Sequence, residues 1–208
     1  MRRPRIIAEQ ARHAKGLLGW IIASIMARET WAANRRVIKA LGIAADDHVI
    51  DVGCGHGRSL GALAACAPKG QVVGADPSAL MADMAVGRNR RLIRKGRAKI
   101  VVAGAEALPF PDATFDKALC VHVVYFWADM HQCLREIARI LKSGGRLALL
   151  FRTNADAAAV ATFPADVYRF PALADMTKAL AAAGFEVEAI ETAGPAATGP
   201  ILLLALRR

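Results

Sequence analysis

Hydrophobic residues along the chain follow two alternating patterns. Short apolar runs predict strands at 48–52, 71–75, 99–102, 116–124, 146–151, 185–190 and 201–206. Between them, apolar residues recur every three or four positions and predict helices at 59–67, 78–94, 129–141 and 172–183. Strands that alternate with helices are joined by crossovers, and crossovers build a parallel sheet. The pattern predicts an α/β fold with a doubly wound, mostly parallel, seven-stranded sheet.

The last two strands break this alternation. Only the loop 194–200 separates them, and it has no helical pattern. Strands joined without a helix pair as an antiparallel hairpin, so we expect the last strand to run against the others.

The first forty residues carry a different signal. One predicted helical face presents Leu17, Leu18, Ile21, Ile22 and Ile25, and a second helix follows Trp31. We expect an N-terminal helical extension over 1–40 and one compact domain over 41–208. The apolar run is too short to span a bilayer and the basic start contains Glu9, so we expect neither a cleaved signal peptide nor a membrane span.

Composition narrows the class of protein without fixing the partner. The 208 residues are 55% hydrophobic and 22% charged, which is typical of a globular α/β protein, and a formal charge of +10 favours acidic partners. A membrane surface, a nucleic acid and an anionic substrate all remain open. The four cysteines include no C-x-x-C pair, so the sequence indicates no disulfide framework, and we expect a cytoplasmic location. The sequence also indicates no metal site, because no ligand partners stand at metal spacing from His13, His56 or His131.

A glycine cluster follows the first strand, and Asp76 ends the second. Gly53, Gly55 and Gly57 let the backbone approach a ligand at the carboxyl edge of the sheet, and a carboxylate at Asp76 can accept both hydroxyls of a ribose. The pair predicts a nucleoside cofactor. Arg58 stands where the dinucleotide fingerprint has its third glycine. Alternatively, Asp76 only closes an Asx turn before Pro77.

Four stretches in order resemble class I S-adenosylmethionine-dependent methyltransferases of the ubiquinone/menaquinone-biosynthesis type. They are 49–57 (VIDVGCGHG), 73–78 (VGADPS), 104–116 (GAEALPFPDATFD) and 134–145 (LREIARILKSGG), within a similarity that runs from about 35 to 151. The resemblance implies a Rossmann-like fold with an N-terminal helical lid, S-adenosylmethionine as the cofactor, and cofactor-binding residues at Asp51, Gly53, Cys54, Gly55, Asp76, Pro77, Met81, Gly104, Ala105, Glu106 and His122. Relatives often have Asp at Gly104, where it accepts a hydrogen bond from adenine, so we expect lower affinity or adenine selectivity here unless Glu106 or backbone carbonyls substitute.

The fourth strand ends in His122, Tyr125, Phe126 and Trp127, in a pattern that resembles methyltransferases of small molecules. We therefore assign His122 and Tyr125 as candidate catalytic residues. An imidazole there would orient or deprotonate the acceptor. The sulfonium methyl is already electrophilic, so alignment alone is the alternative.

The sequence thus predicts methyl transfer to a small, apolar or lipid-like acceptor. The N-terminal helix, with its apolar face and basic edge, would cover the pocket or rest on the inner face of a membrane. The alternatives are a non-catalytic nucleoside-binding protein, an RNA methyltransferase supported only by charge, and an NAD-dependent oxidoreductase. The sequence does not indicate an oligomeric state.

Overall fold

The structure, a computed structural model, describes residues 3–12, 14–192 and 199–208. Of residues 23, 24 and 26–29 it describes the backbone but not the side chains. His13 and most of the predicted 194–200 loop therefore lie outside the described residues. The helices are α1 (Arg5–Arg12), α2 (Gly16–Glu29), α3 (Trp31–Ala40), α4 (Arg58–Cys66), α5 (Ala79–Arg94), α6 (Met130–Ile140), α7 (Ala157–Thr162) and α8 (Leu173–Ala182). The strands are β1 (Val49–Val52), β2 (Val72–Asp76), β3 (Ala98–Val102), β4 (Phe115–Val121), β5 (Leu141–Phe151), β6 (Phe185–Thr192) and β7 (Ile201–Arg207).

Seven strands form one sheet in the order β3-β2-β1-β4-β5-β7-β6. Strands β1 to β5 pair in parallel, and β7 pairs antiparallel to both β5 and β6. The predicted Rossmann-like architecture and the antiparallel final hairpin are therefore confirmed. The order reverses between β1 and β4, and such a switch point opens a crevice at the carboxyl ends of the strands.

Both faces of the sheet are covered by helices. On one face, α3 and α4 bury Val37, Leu41, Leu60 and Leu63 against the central strands. On the other face, α6 and α8 bury a second core cluster that also includes Ala8 of α1. Strands β1 and β2 are buried along their whole length, which explains why they appear in the sequence as continuous apolar runs.

One predicted strand end is wrong. Strand β4 ends at Val121, and a short 3-10 turn spans Val124–Phe126 where the sequence had predicted strand to residue 124. His122 adopts a left-handed backbone with φ of 59°, which breaks the extended conformation. The chain therefore turns at the edge of the crevice.

The side chain of Arg97, just before β3, binds the backbone at the end of α4. Its guanidinium donates to the carbonyl oxygens of Ala64, Ala67, Pro68 and Gly70, where α4 ends. Carbonyls at and just beyond a helix C-terminus carry its negative end, so a cation is favoured there. Arg97 therefore ties the start of β3 to the end of α4.

Candidate active site

A cavity of about 380 Å³ lies at the carboxyl ends of β1, β2 and β4. Its lining includes all eleven residues that the sequence assigned to cofactor binding: Asp51, Gly53, Cys54, Gly55, Asp76, Pro77, Met81, Gly104, Ala105, Glu106 and His122. They come from β1, β2, the loops after β1, β2, β3 and β4, and, for Met81, the first turn of α5. The crevice thus gathers residues separated by as many as 71 positions, in agreement with the predicted sheet edge.

The glycine loop follows the end of β1 closely. Gly53, Gly55 and Gly57 have positive φ angles of 79°, 54° and 70°. The amides of Gly53 and Cys54 both donate to the carbonyl of Ala75, at 2.8 and 3.0 Å, so the loop is fastened to β2. A side chain at Gly53 would overlap Val123, whereas a Cβ at Gly55 would meet open space.

Asp51 is a buried carboxylate at the floor of the cavity, with 3% of its surface exposed. It accepts a hydrogen bond from the Ser59 hydroxyl. Burial raises the pKa of Asp51 to about 7, Ser59 opposes that shift, and the nearby Asp76 adds to it. A carboxylate in this state would be stabilised by a bound cation.

Asp76 has both carboxylate oxygens fixed by the backbone. Oδ2 accepts from the Gly55 amide and Oδ1 from the Ser78 amide, each at 2.9 Å. The second bond is the Asx turn considered as the alternative for this residue. Because each carboxylate oxygen accepts more than one hydrogen bond, the turn is compatible with a ligand. The residues present therefore fit a nucleoside that carries a cation and a diol.

Glu106 occupies the space that a side chain at position 104 would fill. A Cβ built on Gly104 would overlap both carboxylate oxygens of Glu106. A carboxylate therefore lies beside Gly104 even though position 104 itself has no side chain.

His122 and Tyr125 form one hydrogen-bonded pair. His122 Nδ1 lies 3.0 Å from the Tyr125 hydroxyl, which also accepts from the Arg152 amide at 2.7 Å. Burial, followed by the charge of Arg152, lowers the pKa of His122 to about 4. His122 lines the cavity, but Tyr125 does not: its ring is buried among aromatic residues and it reaches the site only through His122.

An aromatic cluster stands behind this pair. Tyr125 packs against Tyr168 and Phe170 with ring centroids 5.7 and 4.9 Å apart. Phe126 packs on Tyr168 and, together with Trp127, reaches the cavity wall. This side of the cavity is therefore rigid and largely apolar.

His56 of the glycine loop and Arg58 at the start of α4 line the cavity side by side. Burial, followed by the charges of Arg88 and Arg58, lowers the pKa of His56 to about 4. Arg58 itself stacks over Trp31 at 4.5 Å.

The N-terminal helices supply cavity residues that sequence patterns did not indicate. Ala11 and Arg12 from α1, Ala14, Thr30 and Asn34 all line the cavity. The Ser78 hydroxyl donates to the Ala14 carbonyl at 3.0 Å and fixes this segment beside Asp76. None of these residues belongs to a sequence motif, so only the packing of the N-terminal helices against the domain reveals that they line the cavity.

Helix α2 turns most of its predicted apolar face to the surface. Ile22 is buried, but exposed fractions reach 76% at Leu17, 50% at Trp20 and 53% at Ile25. None of the described helices is long and apolar enough to cross a membrane.

Comparison with known proteins agrees with this geometry. The sequence profile of the methyltransferase domain matches residues 50–149. The chain is 31% identical to the O-methyltransferase cnsE of Penicillium expansum over 160 residues, 37% identical to the ubiquinone/menaquinone biosynthesis C-methyltransferase UbiE of Hahella chejuensis over 149, and 30% identical to the uncharacterized methyltransferase YdaC of Bacillus subtilis over 129. These alignments cover 74%, 67% and 62% of this chain and 57%, 56% and 69% of the relatives. The chain thus spans little more than half the length of the first two.

A solved structure shares the fold. The geranyl diphosphate C-methyltransferase of Streptomyces coelicolor, in complex with Mg²⁺, geranyl diphosphate and S-adenosyl-L-homocysteine, matches with a TM-score of 0.73 and 20% identity. The match covers 85% of this chain and 77% of that one. Together, the profile, the relatives and the shared fold show that this chain belongs to the methyltransferase-domain family, whose cofactor is S-adenosylmethionine.

Proposed function

We propose that this chain transfers the methyl group of S-adenosylmethionine to a small, largely apolar acceptor. One observation carries the proposal: a single cavity joins the eleven predicted cofactor residues to an apolar wall at Phe126 and Trp127. The relatives' names, an O-methyltransferase and a C-methyltransferase of quinone biosynthesis, support small molecules as the acceptor class.

Each part of the cavity has a role in this proposal. Asp51 would bind the ammonium group of the methionine portion, Asp76 would accept the ribose hydroxyls, and Glu106 would lie along the adenine. Pro77, Met81 and Ala105 would pack near the base, while Cys54, whose pKa burial raises, stays a neutral thiol in the loop. When bound, S-adenosylmethionine would supply an electrophilic methyl group on its sulfonium. As the bond from this methyl to the acceptor forms, its bond to sulfur breaks and the electron pair stays on sulfur. The protein's residues would align the acceptor and exclude water.

The N-terminal segment 1–40 would act as the lid of the domain 41–208. Its residues Arg12, Thr30 and Asn34 line the cavity, and a lid in this position separates the methyl transfer from solvent.

Calorimetric titration tests the cofactor assignment. We expect S-adenosylmethionine and S-adenosylhomocysteine to bind and NAD not to bind. Asp76→Ala should weaken binding of both sulfur nucleosides by about a hundredfold, because a ribose then loses charge-assisted hydrogen bonds. Glu106→Ala should lower affinity by a smaller factor, since only the adenine contact is lost.

The same experiment separates the alternatives. No binding of either sulfur nucleoside to folded protein would overturn the proposal. Binding without turnover of any phenol, amine or lipid acceptor would favour a non-catalytic nucleoside-binding protein. Methylation of RNA that falls steeply with salt would favour an RNA methyltransferase.

We also propose that α2 contacts an anionic membrane surface from one side. Leu17, Leu18, Trp20, Ile21 and Ile25 are exposed together on this helix, and the chain has a formal charge of +10. An interfacial helix buries such an apolar face among headgroups while cations meet anionic lipid. An apolar acceptor would reach the cavity directly from the bilayer.

Sedimentation with lipid vesicles tests this contact. The chain should bind vesicles that contain phosphatidylglycerol and bind neutral phosphatidylcholine vesicles at least tenfold more weakly. The double variant Leu17→Gln with Ile25→Gln should lose at least tenfold in binding, because two exposed apolar anchors are removed. Ile190→Gln, at an exposed position on β6, is the matched control. Equal binding by the double variant and the control would refute the contact.

A further inference from the structure

The cavity contains two hydrogen-bond donors to which the proposed cofactor contacts give no role, although the resemblance placed His122 among the cofactor-binding residues. One is the guanidinium of Arg12 at the end of α1, and the other is His122, for which the sequence suggested either orientation or deprotonation of the acceptor. Both line the cavity. What they offer a ligand depends on which of their nitrogens are already in use.

The hydrogen bonds of Tyr125 determine the tautomer of His122. The Tyr125 hydroxyl accepts from the Arg152 amide at 2.7 Å, and its own proton has only His122 Nδ1, at 3.0 Å, as an acceptor among the described residues. If Nδ1 carried a proton instead, the buried hydroxyl would have no acceptor, an arrangement disfavoured by about tenfold or more. Nδ1 therefore accepts, and the proton of the neutral ring is on Nε2.

This tautomer makes His122 a donor toward the cavity. Nε2 has no protein partner among the described residues, so its N–H is available to a ligand. Burial and Arg152 hold the pKa of His122 near 4, so the ring stays neutral at physiological pH. With Nδ1 occupied and Nε2 protonated, His122 has no free lone pair for an acceptor's proton.

Arg12 is a second unsatisfied donor. Its Nε is buried and has no hydrogen-bond partner in the described part of the chain. By contrast Arg5, on the same helix, pairs with Glu9 and Asp166 at 2.8 and 3.3 Å. A buried guanidinium nitrogen without a partner is costly, and because Arg12 lines the cavity, a shift of its side chain would bring the guanidinium to a bound carboxylate or other oxyanion.

We propose that the acceptor is an apolar molecule bearing an oxyanion, which Arg12 and the Nε2–H of His122 hold together while Tyr125 fixes His122 as a donor. The inference rests on the proposed function and names the acceptor class for it. The acceptor enters already ionised, its proton having been lost to water, so His122 is not a base. Tyr125 is a positioning residue.

Nuclear magnetic resonance of ¹⁵N-histidine-labelled protein tests the His122 part without cofactor or acceptor. His122→Asn identifies its signals among the five histidines. We expect the Nε2–H tautomer from pH 5.5 to 8, and Tyr125→Phe should shift the Nδ1 signal and release the preference. Tyr168→Phe removes another hydroxyl from the same aromatic cluster and should change nothing. An Nδ1–H tautomer in the wild type, or protonation near pH 6.5, would overturn the inference.

Binding of a matched pair of probes tests Arg12. Protein saturated with S-adenosylhomocysteine should bind 4-butylbenzoate at least tenfold more tightly than the equally shaped 4-butylbenzamide. Arg12→Gln should abolish that ratio, whereas Arg5→Gln, which removes the same charge from the same helix, should keep it. Equal binding of the two probes would overturn the inference.

The two proposals fail in different ways. If Arg12→Gln weakens S-adenosylhomocysteine itself and leaves the probe ratio intact, Arg12 serves the cofactor and the acceptor assignment is wrong. If S-adenosylhomocysteine does not bind the wild type, the proposed function fails, while the histidine spectra still decide whether His122 is a donor.

Discussion

Asp51→Asn is expected to make the free protein more stable at pH 8 while weakening S-adenosylmethionine binding by about a hundredfold. Burial raises the pKa of Asp51 from 3.8 to about 7 in the folded chain. The folded state therefore binds this proton more tightly than the unfolded state, and the stabilisation is lost as pH rises from about 4 to 7. At pH 8 the ionised carboxylate costs roughly 4 kcal/mol, which Asn avoids. The same substitution removes the anion proposed to bind the cofactor's ammonium group.

Thermal unfolding between pH 5 and 8 measures the first effect, and calorimetry measures the second. The gain in stability should grow with pH. Asp116→Asn is the matched control with the opposite sign: burial alone would raise the pKa of Asp116, but Lys142 and the His48 amide lower it overall. That variant should lose stability at neutral pH. If Asp51→Asn is no more stable than the wild type at pH 8, the carboxylate is not held at a cost in the free protein.

Gly53→Ala is expected to destabilise the protein by about 3 kcal/mol or more and to disturb the site. Two costs add: a positive φ, which is worth about 1–2 kcal/mol for alanine, and overlap with Val123, which lies 3.0 Å away even at its Cβ. For a chain of this size the loss corresponds to a fall of about 10 °C in Tm. Val123 follows His122 directly, so the displaced side chain should also shift the imidazole.

Gly55→Ala separates the two costs. Gly55 also has a positive φ, but a Cβ there meets nothing within 4 Å, so only the backbone cost of about 1–2 kcal/mol should appear. Adding Val123→Ala to Gly53→Ala should relieve the overlap, although it also removes packing around Val123. Equal destabilisation by the two single variants would show that Val123 does not limit the loop.

The sheet was predictable because its central strands are buried on both faces. Strands β1 and β2 show continuous apolar runs, and each is followed by glycine or by Asp-Pro, which fix where the strand ends. Six of the eleven predicted cofactor residues lie at or directly after those two ends, and parallel strands bring their carboxyl ends to one edge. Their shared cavity was therefore implied by spacing and by the resemblance together.

The elements that the sequence did not reveal depend on tertiary contacts. Helix α1 has only eight residues, too few to be stable alone, so packing against the rest of the domain stabilises it. The left-handed backbone of His122, which ends β4 early, is uncommon for any residue other than glycine, and no glycine marks this turn in the sequence. The position of Arg12 in the cavity follows from α1 and was equally hidden.

The residues proposed for the nucleoside and those proposed for the acceptor come from separate stretches of the chain. The residues proposed to hold the nucleoside lie between Asp51 and Glu106, whereas those proposed for the acceptor lie before β1, in Arg12, and after β4 begins, in His122 and Trp127. Changes in the flanking stretches would alter acceptor choice without rebuilding the nucleoside site. With this separation, substitutions in the acceptor stretches can change the substrate while the nucleoside site stays intact. Residues 3–40 and 122–132 are therefore the natural targets for engineering selectivity.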